Sequence, residues 1–363
     1  MRIMIVTDTM AIGGTEKLSA LLADGFINTG NECCVMVLND KLDSTKLIHS
    51  KKVIVEYAFH RYPMHFNYNK VRRVIRKFSP EIILCQNLFS YISVKIAAIN
   101  ISRIPIFIVL HYTYNYAFKD EMFDRIYFFL VRNSKDRIIC IYDQQRKHFS
   151  EKHNIPIRRF SLIYNGIDIE HFHPKKSLQP NSNILRIVHI GNMKIEKDQL
   201  TLLRAIKILN MLNPNWELEF IGRDEAGLMM QFNSFIAKNN LEDKVKFHKN
   251  VSDPAGILRN SDVFVMSSIS EAFPVSALEA MASGIPCILT NVGGCKEIVD
   301  DGENGYILPP YNSEAIAEKL LFLAQHRNVL NHMAKKAREK AEREYSCKKM
   351  VERYLSVFRR ETI

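Results

Sequence analysis

Glycine, proline and tryptophan are scarce: 14, 12 and 1 of 363 residues. So little glycine and proline excludes a collagenous or linker-like chain. The seven cysteines, at 33, 34, 85, 140, 287, 295 and 347, are odd in number and include no C-x-x-C pair. A disulfide framework and a thiolate zinc site are both poor readings, and a reducing, cytoplasmic setting is the better one. Long apolar runs are also missing. The longest, Ile104–Leu110 and Ile126–Val131, fall far short of the roughly 18–20 residues that a spanning helix needs. Met1–Thr7 is too short for a signal h-region, and Asp8 follows at once.

Several motifs are absent. There is no G-x-G-x-x-G and no G-x4-G-K-[ST], so dinucleotide and P-loop readings lack their signatures. No D-x-D stands on a loop after a strand. Asp168-Ile169-Glu170 comes nearest, but it lies in a turn-rich stretch and reads as structural. No bound metal or other cofactor is therefore expected. No nucleic-acid-binding motif accompanies the basic charge, so nucleic acid is not expected as a partner.

What is present describes a globular chain of two domains. Apolar residues make up 47% and charged residues 25%, ordinary values for a folded protein. The net charge of +11 is uneven. Residues 1–175 hold 25 Lys+Arg against 16 Asp+Glu, a net +9, and the remainder holds 25 against 23, a net +2. A basic first half points to an anionic partner there.

Strand and helix patterns alternate along both halves. Arg2–Thr7 is a strand candidate, followed by Gly13-Gly14 and by apolar positions at Leu18, Leu21, Leu22 and Phe26, a helical period. Further strands are expected at Cys33–Leu38, Val53–Tyr57, Ile82–Cys85, Ile106–Leu110, Arg137–Ile141 and Phe160–Tyr164. Helices are expected at Asn69–Phe78, Tyr91–Ile99, Glu121–Val131 and Asp143–Lys152. After a polar stretch from Asn165 to Asn183, the second half gives six more strands, starting at Arg186–Gly191 and including Val263–Ser267. Its helices include Gln199–Leu212, Pro274–Ala282 and a basic one at Ser346–Arg360. Such alternation implies α/β architecture with parallel sheets covered on both faces. Two doubly wound, Rossmann-like domains facing across a cleft are expected, split at 1–168 and 169–345, with helix 346–360 returning to the first.

The densest cluster of chemistry is Glu271 to Pro286, EAFPVSALEAMASGIP. Pro274 suits the first turn of a helix, where its missing N–H costs nothing. Glu271 then sits in the strand-to-helix loop. Glu279 lies five residues inside the helix, about 7–8 Å further on. Two such acceptors can grip two distant hydroxyls of one elongated ligand, and the free N–H groups of the helix start suit a diphosphate.

This segment resembles the signature E-G-F-P-x4-E-A-M-A-x-G-x-P of the retaining glycosyltransferases of family four, which have the GT-B fold. Other matching pieces follow in order: Gly13-Gly14-Thr15-Glu16, His111 after a strand, Asn165-Gly166-Ile167-Asp168, Gly191 with Glu196-Lys197, and Gly293-Gly294 with Glu297-Ile298-Val299. The resemblance implies roles. Glu271 binds hydroxyls of the donor sugar, with backbone contacts from Phe273 and Pro274. Glu279 binds the ribose, and Lys197 and the Gly13-Gly14 backbone bind the diphosphate. His111 contacts the transferred sugar, and Glu16 lies on the acceptor side. Three positions depart from the family: Asn192 replaces the usual Arg after Gly191, Asp198 replaces a Gly, and Ala272 another Gly. Lys194 or Arg223 is then the candidate replacement cation.

The implied activity is metal-independent, retaining transfer from a nucleotide-diphosphate sugar, a UDP-sugar first. The expected acceptor is a saccharide or lipid-linked saccharide in cell-surface polysaccharide synthesis, at the inner face of the cell membrane. Two alternatives stay open: an epimerase-like enzyme on the same fold, and a catalytically silent nucleotide-sugar-binding protein. The helix Asn69–Phe78 carries Lys70, Arg72, Arg73, Arg76 and Lys77 around an apolar stripe of Val71, Val74, Ile75 and Phe78. It reads either as a dock for an anionic membrane surface or as an ordinary surface helix whose stripe faces the sheet.

Overall fold

The computed structural model describes all residues except 11–12, 40–46, 59–67, 102–103, 114–124, 126, 176–182, 250 and 363. The expected helix at Glu121–Val131 lies partly outside the described residues. The chain forms two compact units, Met1–Gly166 with Cys347–Ile363, and Ile167–Ser346.

Among its described residues the first unit holds seven strands: β1 (Arg2–Thr7), β2 (Glu32–Val37), β3 (Ile54–Tyr57), β4 (Ile82–Cys85), β5 (Ile106–Leu110), β6 (Arg137–Cys140) and β7 (Phe160–Leu162). All pair in parallel, in the order β3-β2-β1-β4-β5-β6-β7. Among the described residues its helices include α1 (Gly14–Asn28), α2 (Tyr68–Phe78), α3 (Leu88–Ala97) and α4 (Asp143–Lys152), with residues 127–132 helical as well, and the terminal helix described below closes the unit.

The second unit holds β8 (Leu185–Ile190), β9 (Trp216–Ile221), β10 (Val245–His248), β11 (Val263–Met266), β12 (Cys287–Thr290) and β13 (Gly305–Leu308). These are parallel too, in the order β10-β9-β8-β11-β12-β13. Between and after them run α5 (Gln199–Leu212), α6 (Met229–Lys238), α7 (Ala255–Leu258), α8 (Val275–Ala282), α9 (Cys295–Ile298), α10 (Ser313–Gln325) and α11 (Arg327–Glu344). The chain then returns to the first unit as α12 (Cys347–Thr362).

The central strands are unbroken apolar runs, IILC in β4, IFIVL in β5 and VFVM in β11, and every residue of them is buried. Covering helices exclude water from both sheet faces, so alternation has no role there. In each sheet the strand order reverses once, between β1 and β4 and between β8 and β11. In open parallel sheets ligands bind outside the carboxyl ends at this reversal.

Two glycines set how closely α12 packs. A Cβ on Gly25 would overlap Val351, and one on Gly166 would come within 2.8 Å of Met350. On this helix Phe358 packs at a tilt against Phe26 and Phe107, with ring centroids 5.9 and 4.8 Å apart. The apolar stripe of α2 is core as well: Val71, Val74 and Ile75 are buried in the first unit's cluster. The buried stripe is therefore unavailable to a membrane, and the exposed face of the helix is mainly charge, chiefly Arg73, Arg76 and Lys77. Arg72 has a structural task, donating from Nε to the Ala97 carbonyl at the end of α3 (2.9 Å). Among the described residues no helix is long and apolar enough to cross a membrane.

Candidate active site

The reversal point of the second sheet carries the main cluster. After β8 the chain runs through Gly191 and Asn192 to a 3-10 turn, Ile195–Lys197, and enters α5. After β11 it runs through Ser267, Ser268 and Glu271 to α8. Lys197 Nζ lies 2.5 Å from Glu271 Oε1, with side chains 23% and 10% exposed. Ser268 Oγ donates to the same carboxylate oxygen at 2.8 Å. Two residues 74 apart in sequence thus form one charge-assisted unit.

Backbone bonds lock the two loops together. Ser267 Oγ donates to the Asp198 carbonyl (2.8 Å), and the Ile269 amide to the Glu196 carbonyl (2.8 Å). From the other side, the Gly294 amide donates to the Ala272 carbonyl (2.8 Å). Gly293 has φ +50°, and a Cβ there would overlap the Glu271 carbonyl. Gly293 is thus explained by a close approach that holds the Glu271 loop. Ala272 keeps a φ that any residue tolerates, so its departure from the family pattern carries no backbone strain.

Asp198 is different. It sits in the left-handed region, φ 43° and ψ 46°, between the 3-10 turn and α5. This is the conformation in which glycine costs nothing and a side chain costs about 1–2 kcal/mol. Aspartate is among the residues that tolerate it best. Here its carboxylate accepts a bond from Thr201 Oγ1 at 2.7 Å.

Asn192 is tied into the frame by three bonds. Its Oδ1 accepts from the Arg223 amide (3.0 Å), its Nδ2 donates to Glu225 Oε1 (2.5 Å), and its carbonyl accepts from Gln199 Nε2 (3.0 Å). Beneath the loop, buried His189 bonds through Nδ1 to the Val265 carbonyl (2.9 Å), and its Nε2 faces Gln199 Nε2 (3.4 Å). Nδ1 therefore carries the proton, and burial pushes the imidazole pKa down to about 4.

Glu279 lies on α8 and is buried, with 2% exposure. Pro274 is one position earlier than expected. It is the N-cap, and the helix starts at Val275. The Phe273 side chain is a core residue, 4% exposed and edge-on to Tyr345 with centroids 5.7 Å apart. Only its backbone is left for a ligand. A recess of about 570 Å³ beside β12 and β13 is lined by Asn291, Lys296, Asp300, Asp301, Leu308 and Pro309, and does not include Lys197 or Glu271.

In the first unit, His111 follows β5, and its Nε2 lies 2.7 Å from Oε1 of buried Gln86, which follows β4. The oxygen can only accept, so Nε2 carries the proton, and burial pushes the pKa down to about 4. A neutral imidazole there can accept through Nδ1. The first turn holds Gly13, Gly14 and Glu16. A Cβ on Gly13 would lie 2.5 Å from Glu16 Oε2, so the glycine makes room for this chain's own carboxylate. Thr9 Oγ1 donates to Glu16 Oε1 at 3.2 Å, and burial raises the Glu16 pKa. Gln86, Ser268, Gln199 and Glu225 were not singled out from sequence. No motif marks them: Gln86 meets His111 25 residues on and Glu225 meets Asn192 33 residues back, while Ser268 and Gln199 bond nearer residues of their own loops.

Residues 12–171 match "Glycosyltransferase Family 4" and residues 169–340 match "Glycosyl transferases group 1". The chain belongs to the family-four glycosyltransferases. It is 25% identical over 232 residues to the Escherichia coli UDP-Gal:alpha-D-GlcNAc-diphosphoundecaprenol alpha-1,3-galactosyltransferase, covering 61% of this chain and 59% of that protein. It is 29% identical over 198 residues to the Staphylococcus aureus capsular polysaccharide biosynthesis glycosyltransferase CapM, covering 54% and 50%. The matches thus span only half to six-tenths of these relatives' length. The crystal structure of Anabaena HepE with UDP and glucose superposes with a TM-score of 0.83 at 19% identity, covering 99% of both chains. At that identity the likeness establishes the fold, GT-B, with two Rossmann-like parallel-sheet domains.

Proposed function

We propose that this glycosyltransferase moves a sugar, with retention, from a UDP-sugar to a saccharide or lipid-linked saccharide in cell-surface polysaccharide synthesis. The observation that carries the reading is the Lys197–Glu271 pair at the reversal point of the second sheet, inside the family signature. The pair combines a cation for a leaving diphosphate with an acceptor for sugar hydroxyls. The E. coli relative is named for UDP-Gal and a diphosphoundecaprenol-linked GlcNAc, and the S. aureus one for capsular polysaccharide. These names support donor and acceptor class alike.

In this reading Glu271 holds donor hydroxyls, Glu279 the ribose, and the backbone at Phe273–Pro274 the sugar. Gly13 and Gly14 offer backbone N–H groups to the diphosphate. His111 accepts from a hydroxyl of the transferred sugar, and Glu16 serves the acceptor. As the glycosidic C–O bond to the diphosphate breaks, negative charge grows on its oxygen. Lys197 and backbone N–H groups stabilise that charge without a metal. The acceptor oxygen attacks from the same face, and its proton passes to the departing phosphate oxygen. The work takes place at the cytoplasmic side of the membrane, to which the basic face of α2 is drawn electrostatically.

The test is incubation with a panel of UDP-sugars and polyprenyl-diphosphate-linked acceptors, followed by NMR of the product anomer. The expected product keeps the donor's α configuration, and EDTA leaves the rate unchanged. An inverted anomer, or activity lost to EDTA and restored by manganese, contradicts the mechanism. A free altered sugar formed without acceptor contradicts transfer itself.

A further inference from the structure

Charge counting around Lys197 leaves a deficit. Its ammonium is matched by Glu271 at 2.5 Å, so the pair offers a diphosphate little net positive charge. Asn192, at the end of β8, adds none. Two further cations stand at the same edge, on the β8 and β9 loops. Lys194 Nζ lies 3.0 Å from Glu225 Oε2, and Arg223 Nη2 lies 3.6 Å from Glu225 Oε1. Asn192 Nδ2 donates to that same Oε1.

The frame beneath them is rigid. The Met193 amide donates to the Arg223 carbonyl (2.8 Å), and the Glu225 amide to the Met193 carbonyl (3.3 Å). Gly222 has φ +156°, and a Cβ there would overlap the Gly191 carbonyl. Asp224 accepts the Leu228 and Met229 amides at 2.8 and 3.1 Å, so it turns away into the start of α6. Glu225 is thus the carboxylate facing the two cations. All three side chains sit at the rim, with Lys194 40%, Arg223 53% and Glu225 34% exposed.

We propose that Lys194 and Arg223 are diphosphate-binding residues that supply the cation Asn192 lacks, and that Glu225 is a positioning residue that holds them until phosphate takes its place. The inference rests on the donor-site reading above. Exposed ion pairs like those to Glu225 contribute little, whereas hydrogen bonds from Lys and Arg to phosphate are short and strong, so the exchange runs toward the ligand. The Arg223 guanidinium suits two phosphate oxygens at once, and Lys194 acts as a point charge.

Calorimetric titration of the full chain with UDP, GDP and ADP tests this. Lys194→Ala with Arg223→Ala should weaken the nucleotide that binds wild type by about tenfold to a hundredfold, the scale of lost charged hydrogen bonds. Adding Asn192→Arg to that double variant should recover most of the loss. Glu225→Gln should tighten binding several-fold, because it removes a competing anion and keeps the acceptor for Asn192. Thermal melts confirm that each variant is folded. Wild-type affinity in the folded double variant overturns the proposal. Weaker binding in Glu225→Gln overturns it too, because a mere scaffold loses affinity whichever member is changed. If wild type binds none of the three nucleotides, the donor-site reading falls and this inference falls with it.

Discussion

Asp198 has a left-handed backbone at the junction of the Ile195–Lys197 turn and α5, where the family has glycine. Asp198→Gly should cost little, since it trades the Thr201 bond for freedom from strain. Asp198→Val should cost about 1–2 kcal/mol, because a β-branched side chain resists that conformation. Urea denaturation of both variants checks the ordering. His189 and His111 add a pH dependence. Both are held near a pKa of about 4 by burial, whereas an unfolded histidine titrates near about 6.5. Below pH 6.5 the unfolded chain takes up protons that the folded chain refuses. Their contribution is therefore complete above 6.5 and lost as pH falls toward 4. The drop in urea midpoint between pH 7.5 and 5 should be smaller in His189→Gln than in wild type. Equal drops would mean that His189 does not titrate in this way.

At the scale of elements, the loop between β11 and α8 is held by the glycine pair after β12. Gly293→Ala forces a Cβ against the Glu271 carbonyl and a strained φ, so it should displace Glu271. We expect loss of UDP-sugar turnover with the melting temperature of the first unit unchanged, measured by calorimetry. The strands were legible because β4, β5, β11 and β12 are short apolar runs bounded by turn residues. The start of α3 was not. The apolar period puts it at Tyr91, yet Asn87 caps the helix, with Ser90 completing a reciprocal box. Leu88 and Phe89 continue the apolar spacing toward Tyr91 and Ile92, so the period alone does not mark where the helix begins, and the cap bonds do. The four-residue helices α7 and α9 are too short for periodicity to register. The meeting of Lys197 with Glu271 was open to sequence only through the motif, since parallel-sheet topology joins positions that chain order keeps apart. The Glu225 cluster had no motif at all.

Across the whole molecule, α12 belongs to the first unit although it follows the second in sequence. Removing residues 347–363 uncovers Phe26 and Phe107 and should destabilise the first unit, seen as early loss of its melting transition. The basic face of α2 is the remaining candidate for lipid attachment, because its apolar stripe is core. Arg73→Glu with Arg76→Glu should reduce sedimentation with acidic vesicles and leave nucleotide binding intact. Arg72 should be spared, because it caps α3. Attraction of this kind is screened within about 8–10 Å at ordinary salt. Equal binding by wild type and variant would assign the charge to solubility or to the acceptor. The central claim, a nucleotide-diphosphate sugar held at the reversal point of the second sheet, is tested most directly by turnover of the active UDP-sugar in Lys197→Ala. Removal of one preorganised donor to a developing charge costs about 10²–10³ in kcat. A fall of that size in a folded variant is the predicted result, and near-wild-type turnover would contradict it.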